Sequence, residues 1–134
     1  MSRGKGHSIV SIIAGTAALA ALLFAFIVPA RYIRQIEQSM GENIRQAKDA
    51  VMEGDMEMAA DRIEKIYAEF QLRQDKLKLM CHHDNIDEMA YSINCSRNLA
   101  MLGQSDNLIC ELNRLQQVLE HMAGVENADI YEMF

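Results

Sequence analysis

The sequence predicts an all-α protein: one N-terminal transmembrane helix followed by a long antiparallel helical hairpin with a further helix packed alongside, a three-helix bundle. Three observations predict it. Residues 8–30 carry no charge, and 18 of those 23 positions are Ala, Val, Ile, Leu or Phe. From Arg31 onward there is no Pro, β-branched residues are sparse, and no stretch alternates apolar and polar between turn residues, so strands have no foothold. Four glycines, Gly41, Gly54, Gly103 and Gly124, punctuate that region, and between them apolar residues recur every three or four positions, the spacing of a helix face.

The uncharged run comes first in the chain. At about 1.5 Å per residue a helix over residues 8–30 covers a hydrocarbon core of about 30 Å. Arg3 and Lys5 precede it and Arg31 and Arg34 follow it, charges that reach headgroups but do not enter lipid. Pro29 falls in the last turn, where a lost internal hydrogen bond costs least. A signal peptide cut after Ala30 is the rival reading, but the apolar core of a signal peptide spans about 7 to 15 residues and this run is longer, so a retained anchor is expected. Ala17, Ala21 and Ala25 make a ladder of small residues on which two anchors could pack. The organisation predicted is a basic tail over residues 1–7, the anchor over 8–30 and a helical domain over 31–134. The tail holds two basic residues and no acid, whereas the domain holds 11 basic and 19 acidic residues. That asymmetry points to a single-pass protein of the cell membrane with its helical domain extracytoplasmic. The basic residues soon after the run and the cysteines of a reducing compartment pull the other way.

A first helix of the domain is expected over residues 32–53, with Ile33, Ile36, Met40, Ile44, Ala47 and Val51 on one stripe and a penalty of up to about 1 kcal/mol at Gly41. Gly54 then stops it and Asp55 caps the next. Residues 55–102 contain neither Gly nor Pro, which permits one helix of about 70 Å or two with a break near His82 to Asn85. One stripe runs through Ile63, Ile66, Phe70, Leu77 and Met80; another resumes as Leu79, His83, Ile86, Ala90, Ile93, Arg97 and Ala100. The slip in register near residue 80 resembles a stutter in a helical seam, so one continuous or gently kinked helix is preferred. Ser105 caps the last helix, expected over residues 105–123, where Leu108, Leu112, Leu115, Leu119 and Met122 repeat at heptad spacing. Gly124 ends it, and the tail to Phe134, apolar at Val125, Ile130, Met133 and Phe134, is expected to fold back onto the bundle.

Composition excludes more than it includes. The formal net charge is −6 and no basic face is available to neutralise phosphates, so nucleic acid is not an expected partner. Three cysteines are too few for a disulfide scaffold. Gly-rich phosphate loops and paired metal-binding Cys motifs are absent. The ten methionines, Met52, Met56, Met58, Met80, Met89, Met101, Met122 and Met133 among them, either fill gaps in a core or make an adaptable binding surface.

The densest polar cluster is Cys81-His82-His83-Asp84-Asn85-Ile86-Asp87-Glu88. On a helix His83 and Asp87 share a face, which is how many metal sites begin, and a hairpin symmetric about Gln104 sets Asp87 level with His121. His83, Asp87 and His121 are therefore the candidate metal ligands. The competing reading, preferred here, is a buried His83 paired with a carboxylate that fixes the helix register. Cys81, Cys95 and Cys110 fall in helices away from the hairpin seam and act there as small apolar residues.

The anchor, the Glu53-Gly54-Asp55 turn leading into Ala59 and Ala60, His83-x-x-Ile86-Asp87, the Asp106 turn, Glu111-Leu112-x-x-Leu115, Leu119-Glu120-His121-Met122 and the Ile130 to Phe134 end together resemble a bacterial family defined only as domain of unknown function 4363. The likeness covers most of the chain from Gly54 on. Its long helix usually carries tryptophans; this chain has none, and Tyr67 with Phe70 or Leu77 stands in that stretch. The resemblance implies a small membrane-anchored helical protein and no activity, cofactor or catalytic residue. The expected function is thus a non-enzymatic interaction or structural module, held to membrane lipid through residues 8–30, with a second copy or another membrane protein as partner. The alternative is an extracytoplasmic sensor that takes a ligand or metal near His83, Asp87 and His121. No cofactor is expected in the first reading.

Overall fold

The computed structural model describes the backbone of residues 3–132 and the side chains of residues 6–124. Its elements are four helices, α1 (Arg3–Met52), α2 (Met56–Met80), α3 (His83–Met101) and α4 (Ser105–Glu132). The all-α prediction holds, with one long apolar N-terminal helix leading into a helical bundle.

The predicted anchor and first bundle helix are one element. α1 runs unbroken for 50 residues, through Pro29, a length of about 75 Å. Its N-terminal part has mean hydropathy 2.4 over its most apolar window, none of which is buried; Phe24 is 70% exposed. A core helix of a water-soluble protein hides such a surface, so this arm is long and apolar enough to cross a membrane. The C-terminal part turns its stripe, Ile33, Ile36, Met40, Ile44, Ala47 and Val51, fully into the core.

The expected long helix over residues 55–102 is instead two. Cys81 (φ −121°, ψ 159°) and His82 (φ −62°, ψ 138°) are extended, and the chain reverses there without a glycine. The slip between the two stripes marks this reversal and not a stutter. The physical reason is burial: α1 offers only some twenty residues of apolar stripe, so half of an unbroken 48-residue helix would project into solvent with its apolar face bare. Folded at Cys81, α2 buries Ile63, Ile66, Phe70 and Leu77 and α3 buries Ile86, Met89 and Ile93 against the same core. Leu79, placed on the stripe by spacing, is 87% exposed, because it lies at the reversal.

Each helix packs on two neighbours in a ring, α1 on α2, α2 on α3, α3 on α4 and α4 on α1, so the bundle has four helices where three were expected. Ser39 donates to Glu69 at 2.9 Å and Tyr32 lies under the guanidinium of Arg73 and the ammonium of Lys76 at 5.5 and 5.6 Å. These contacts set α1 and α2 antiparallel and in step. Arg97 of α3 stacks on Tyr67 of α2 at 3.9 Å and donates to Glu64 at 2.7 Å. Lys48 of α1 donates to Asn113 and Gln116 of α4.

The two turns at the opposite end follow from glycine. Gly54 (φ +80°) and Gly103 (φ +67°) adopt left-handed conformations, which cost a side-chain-bearing residue about 1–2 kcal/mol. Asp55 then caps α2, accepting from the Met58 amide at 3.0 Å, as predicted. At the start of α4 the Gln104 carbonyl accepts the Leu108 amide at 2.9 Å, so Gln104, and not Ser105, precedes the helix. α4 continues past Gly124 to Glu132, where a stop was predicted. The expectations for Val125, Ile130, Met133 and Phe134, and for Arg3 and Lys5 in the basic tail, concern side chains outside those described.

Candidate functional site

The His83, Asp87 and His121 side chains are all exposed. Among the described residues no group of three or more His, Cys, Asp or Glu is placed to hold a metal ion. Two local facts explain the positions. His83 is the first residue of α3, after the break, so it leaves the stripe that a continuous helix would have given it and is not the buried, register-setting His of the preferred reading. The α3–α4 hairpin is also offset from symmetry about Gln104: Ser92 meets Glu111 and Arg114 meets Glu88, which sets Asp87 level with Leu115 and away from His121.

The polar group that does lie in the α3–α4 seam is one that spacing did not reveal. Ser92 and Ser96 are fully buried. Ser92 donates to the Glu111 carboxylate at 2.6 Å, and Ser96 donates to the Ser92 carbonyl at 2.9 Å. Both hydroxyls are satisfied, as burial requires, and the seam is closed. Beside it, Tyr91 is 58% exposed; its phenol is held above its ordinary value chiefly by the hydrogen bond with Cys95. Arg114 stacks over the Tyr91 ring at 5.6 Å. All three cysteines are thiols, with Cys110 exposed.

An open groove of about 560 Å³ runs between α1 and α4, lined by both signs of charge, Glu37, Glu42, Arg45, Lys48 and Glu120 among them. Its cations are already engaged: Arg45 pairs with Glu42 and with Asp49 at 2.9 Å, and Lys48 with α4 amides. The hydrogen bond from Arg45, then that from Gln46, holds the Glu42 carboxyl below its usual range. No side chain in the groove has the arrangement of a nucleophile with its base.

The most distinctive surface lies at the end carrying the glycine turns. Met52 (72%) and Met58 flank the Gly54 turn, and Met101 (83%) and Leu102 (69%) precede the Gly103 turn; all are exposed. Met56 Sδ lies 3.8 Å from Ser105 Oγ, which joins the two turns into one tip. Four exposed carboxylates, Glu53, Asp55, Glu57 and Asp106, stand around them, while Arg62 lies beside Met58 and Asp61 pairs with Lys65 at 3.2 Å. The sequence shows this composition, but the shared location requires the fold.

Among known proteins, residues 27–132 match the family model described as Domain of unknown function (DUF4363). No curated protein and no solved structure matches the chain.

Proposed function

The chain belongs to the Domain of unknown function (DUF4363) family, and from that premise we propose that it is a non-enzymatic interaction module, anchored by a single membrane span, whose acidic, methionine-bearing tip docks on another protein. The observation that carries this reading is the tip itself: Met52, Met58, Met101 and Leu102 exposed within a carboxylate-rich surface. Large exposed apolar side chains gathered at one end of a fold mark a contact surface, unlike ones scattered singly, and methionine adapts its shape to a partner. The unburied apolar arm of α1 supports the anchor. Because α2 returns along α1 towards that arm, the tip is the part of the bundle farthest from it, where a partner has access.

Charge selects the partner's chemistry. Two tips placed together would oppose Glu53, Asp55, Glu57 and Asp106 to their own copies, so a second copy does not fit there and a protein with an apolar centre and a basic rim does. Self-association, if it occurs, belongs to the Ala17, Ala21 and Ala25 ladder within the span. The short basic tail before the span and the net acidic domain after it favour an extracytoplasmic bundle.

The test is photocrosslinking in native membranes, with the probe at Met101 and at Gln71, an exposed position on the flank of α2. A discrete adduct with another protein from Met101, weak or absent from Gln71, is expected. No adduct from Met101, or only a dimer of this chain, overturns the proposal. A membrane-impermeant thiol reagent on intact cells reports the side: Cys110 is exposed and labels without permeabilisation when the bundle is outside.

A further inference from the structure

We propose a second contact, at the opposite end of the bundle: the α2–α3 turn rests in the phospholipid headgroup layer, with Leu79 at the acyl boundary and Arg31, Lys76 and Lys78 on anionic lipid phosphates. This rests on the reading of residues 8–30 as a membrane span.

The register between α1 and α2 carries the argument. Tyr32 faces Lys76, and Ser39 faces Glu69, seven residues further along each helix in opposite directions. Leu79, three residues beyond Lys76, is therefore level with Pro29, inside the uncharged run that ends at Ala30. Burial agrees: residues 6–28 are exposed, whereas Pro29 and Ala30 are half-buried, which is where the returning α2 begins to cover α1. A run of 23 residues is about 35 Å long against a hydrocarbon core of about 30 Å, so its ends lie at the boundary between acyl chains and headgroups. A turn held at that level cannot avoid the lipid surface.

The turn is composed for that position. Leu79 is 87% exposed, the most exposed of the large apolar side chains among the described residues, and Met80 beside it is half-buried. Arg31, Lys76 and Lys78 are exposed around it. Among the described side chains of α2 and α3 the acids nearest the turn are Asp75 on α2 and Asp84 in the first turn of α3, both exposed, so the basic side of the turn is the one formed by α1 and α2. An apolar side chain flanked by lysines is the pattern of interfacial segments, which sink their apolar residues a few ångströms below the headgroups while the ammonium groups stay among the phosphates. Docked there, the turn holds the bundle upright on its span and aims the acidic tip away from the membrane.

The chain contains no Trp, so a single introduced tryptophan reports its own surroundings. Full-length L79W, L72W and F24W are placed in nanodiscs of phosphatidylcholine with or without phosphatidylglycerol, some carrying acyl chains brominated near the headgroup. Leu72 is 83% exposed and lies on the same face of α2, about 10 Å further from the span. Blue-shifted emission and strong bromine quenching are expected for L79W, with water-like, unquenched emission for L72W. Adding K76E and K78E to L79W is expected to weaken the quenching in discs with phosphatidylglycerol. Quenching of F24W without quenching of L79W overturns this proposal and leaves the span in place; absence of quenching in F24W overturns the span itself. A blue shift at L79W that bromine does not touch means that protein covers the turn, and also overturns the proposal, as does quenching indifferent to charge reversal.

Discussion

Replacing the glycines by alanine one at a time separates two backbone conformations by the sign of the stability change. An added Cβ meets nothing within 4 Å at Gly41, Gly54, Gly103 or Gly124, so packing contributes nothing and only the backbone decides. Gly41 lies inside α1 and Gly124 inside α4. In a helix interior alanine is favoured over glycine by about 1 kcal/mol, so G41A and G124A are expected to stabilise the bundle by up to that amount. Gly54 and Gly103 have φ of +80° and +67°, where an L-residue is disfavoured by about 1–2 kcal/mol, so G54A and G103A are expected to destabilise it by that much. Urea unfolding of the detergent-solubilised full chain, followed by far-UV ellipticity, measures each change. The midpoint should move and the slope should not. In thermal melts about 1 kcal/mol corresponds to a shift of about 4–8 °C for a bundle of this size. Destabilisation by G124A would refute the reasoning, because it would mean that the residue ends α4 in a left-handed cap, as its spacing alone suggests.

Phe70 is 2% exposed between the helices, and F70A is expected to cost about 3–5 kcal/mol in the same urea assay through lost burial and the cavity left behind. The Glu42 carboxyl is held below its usual value of 4.5 chiefly by the hydrogen bond from Arg45. Its contribution is therefore present above pH 4.5 and is lost as the pH falls through the lower folded value; E42Q is expected to flatten that part of the acid limb, and by a small amount because the pair is exposed. Saturating zinc is expected to leave the melting temperature unchanged, since His83, Asp87 and His121 are not assembled as a ligand set. A rise in melting temperature that H83A abolishes would return the metal reading.

Much of the fold is legible residue by residue. Ile33, Ile36, Met40, Ile44, Ala47 and Val51, and likewise Leu108, Leu112, Leu115, Leu119 and Met122, are buried as their spacing requires, because helix periodicity is a local property carried by every turn. The Gly54–Asp55 stop and cap are local too. The candidate site is less legible. His83 and Leu79 occupy stripe positions only if the helix is continuous, and the chain breaks between them at Cys81 and His82 without glycine or proline to announce it. The buried Ser92 and Ser96 offer no signal by spacing, since a small hydroxyl fits either face of a helix.

What the sequence by itself determined is the helical class, the apolar arm, the stripes and the glycine turns at Gly54 and Gly103. These rest on composition and on interactions within a few residues. Only the tertiary structure decided that the long segment folds into two helices, that the Gly54 and Gly103 turns meet in one acidic, methionine-bearing tip, and that Leu79 comes level with the end of the apolar run. Each of those is a relation between distant parts of the chain, set by the burial of one stripe against another.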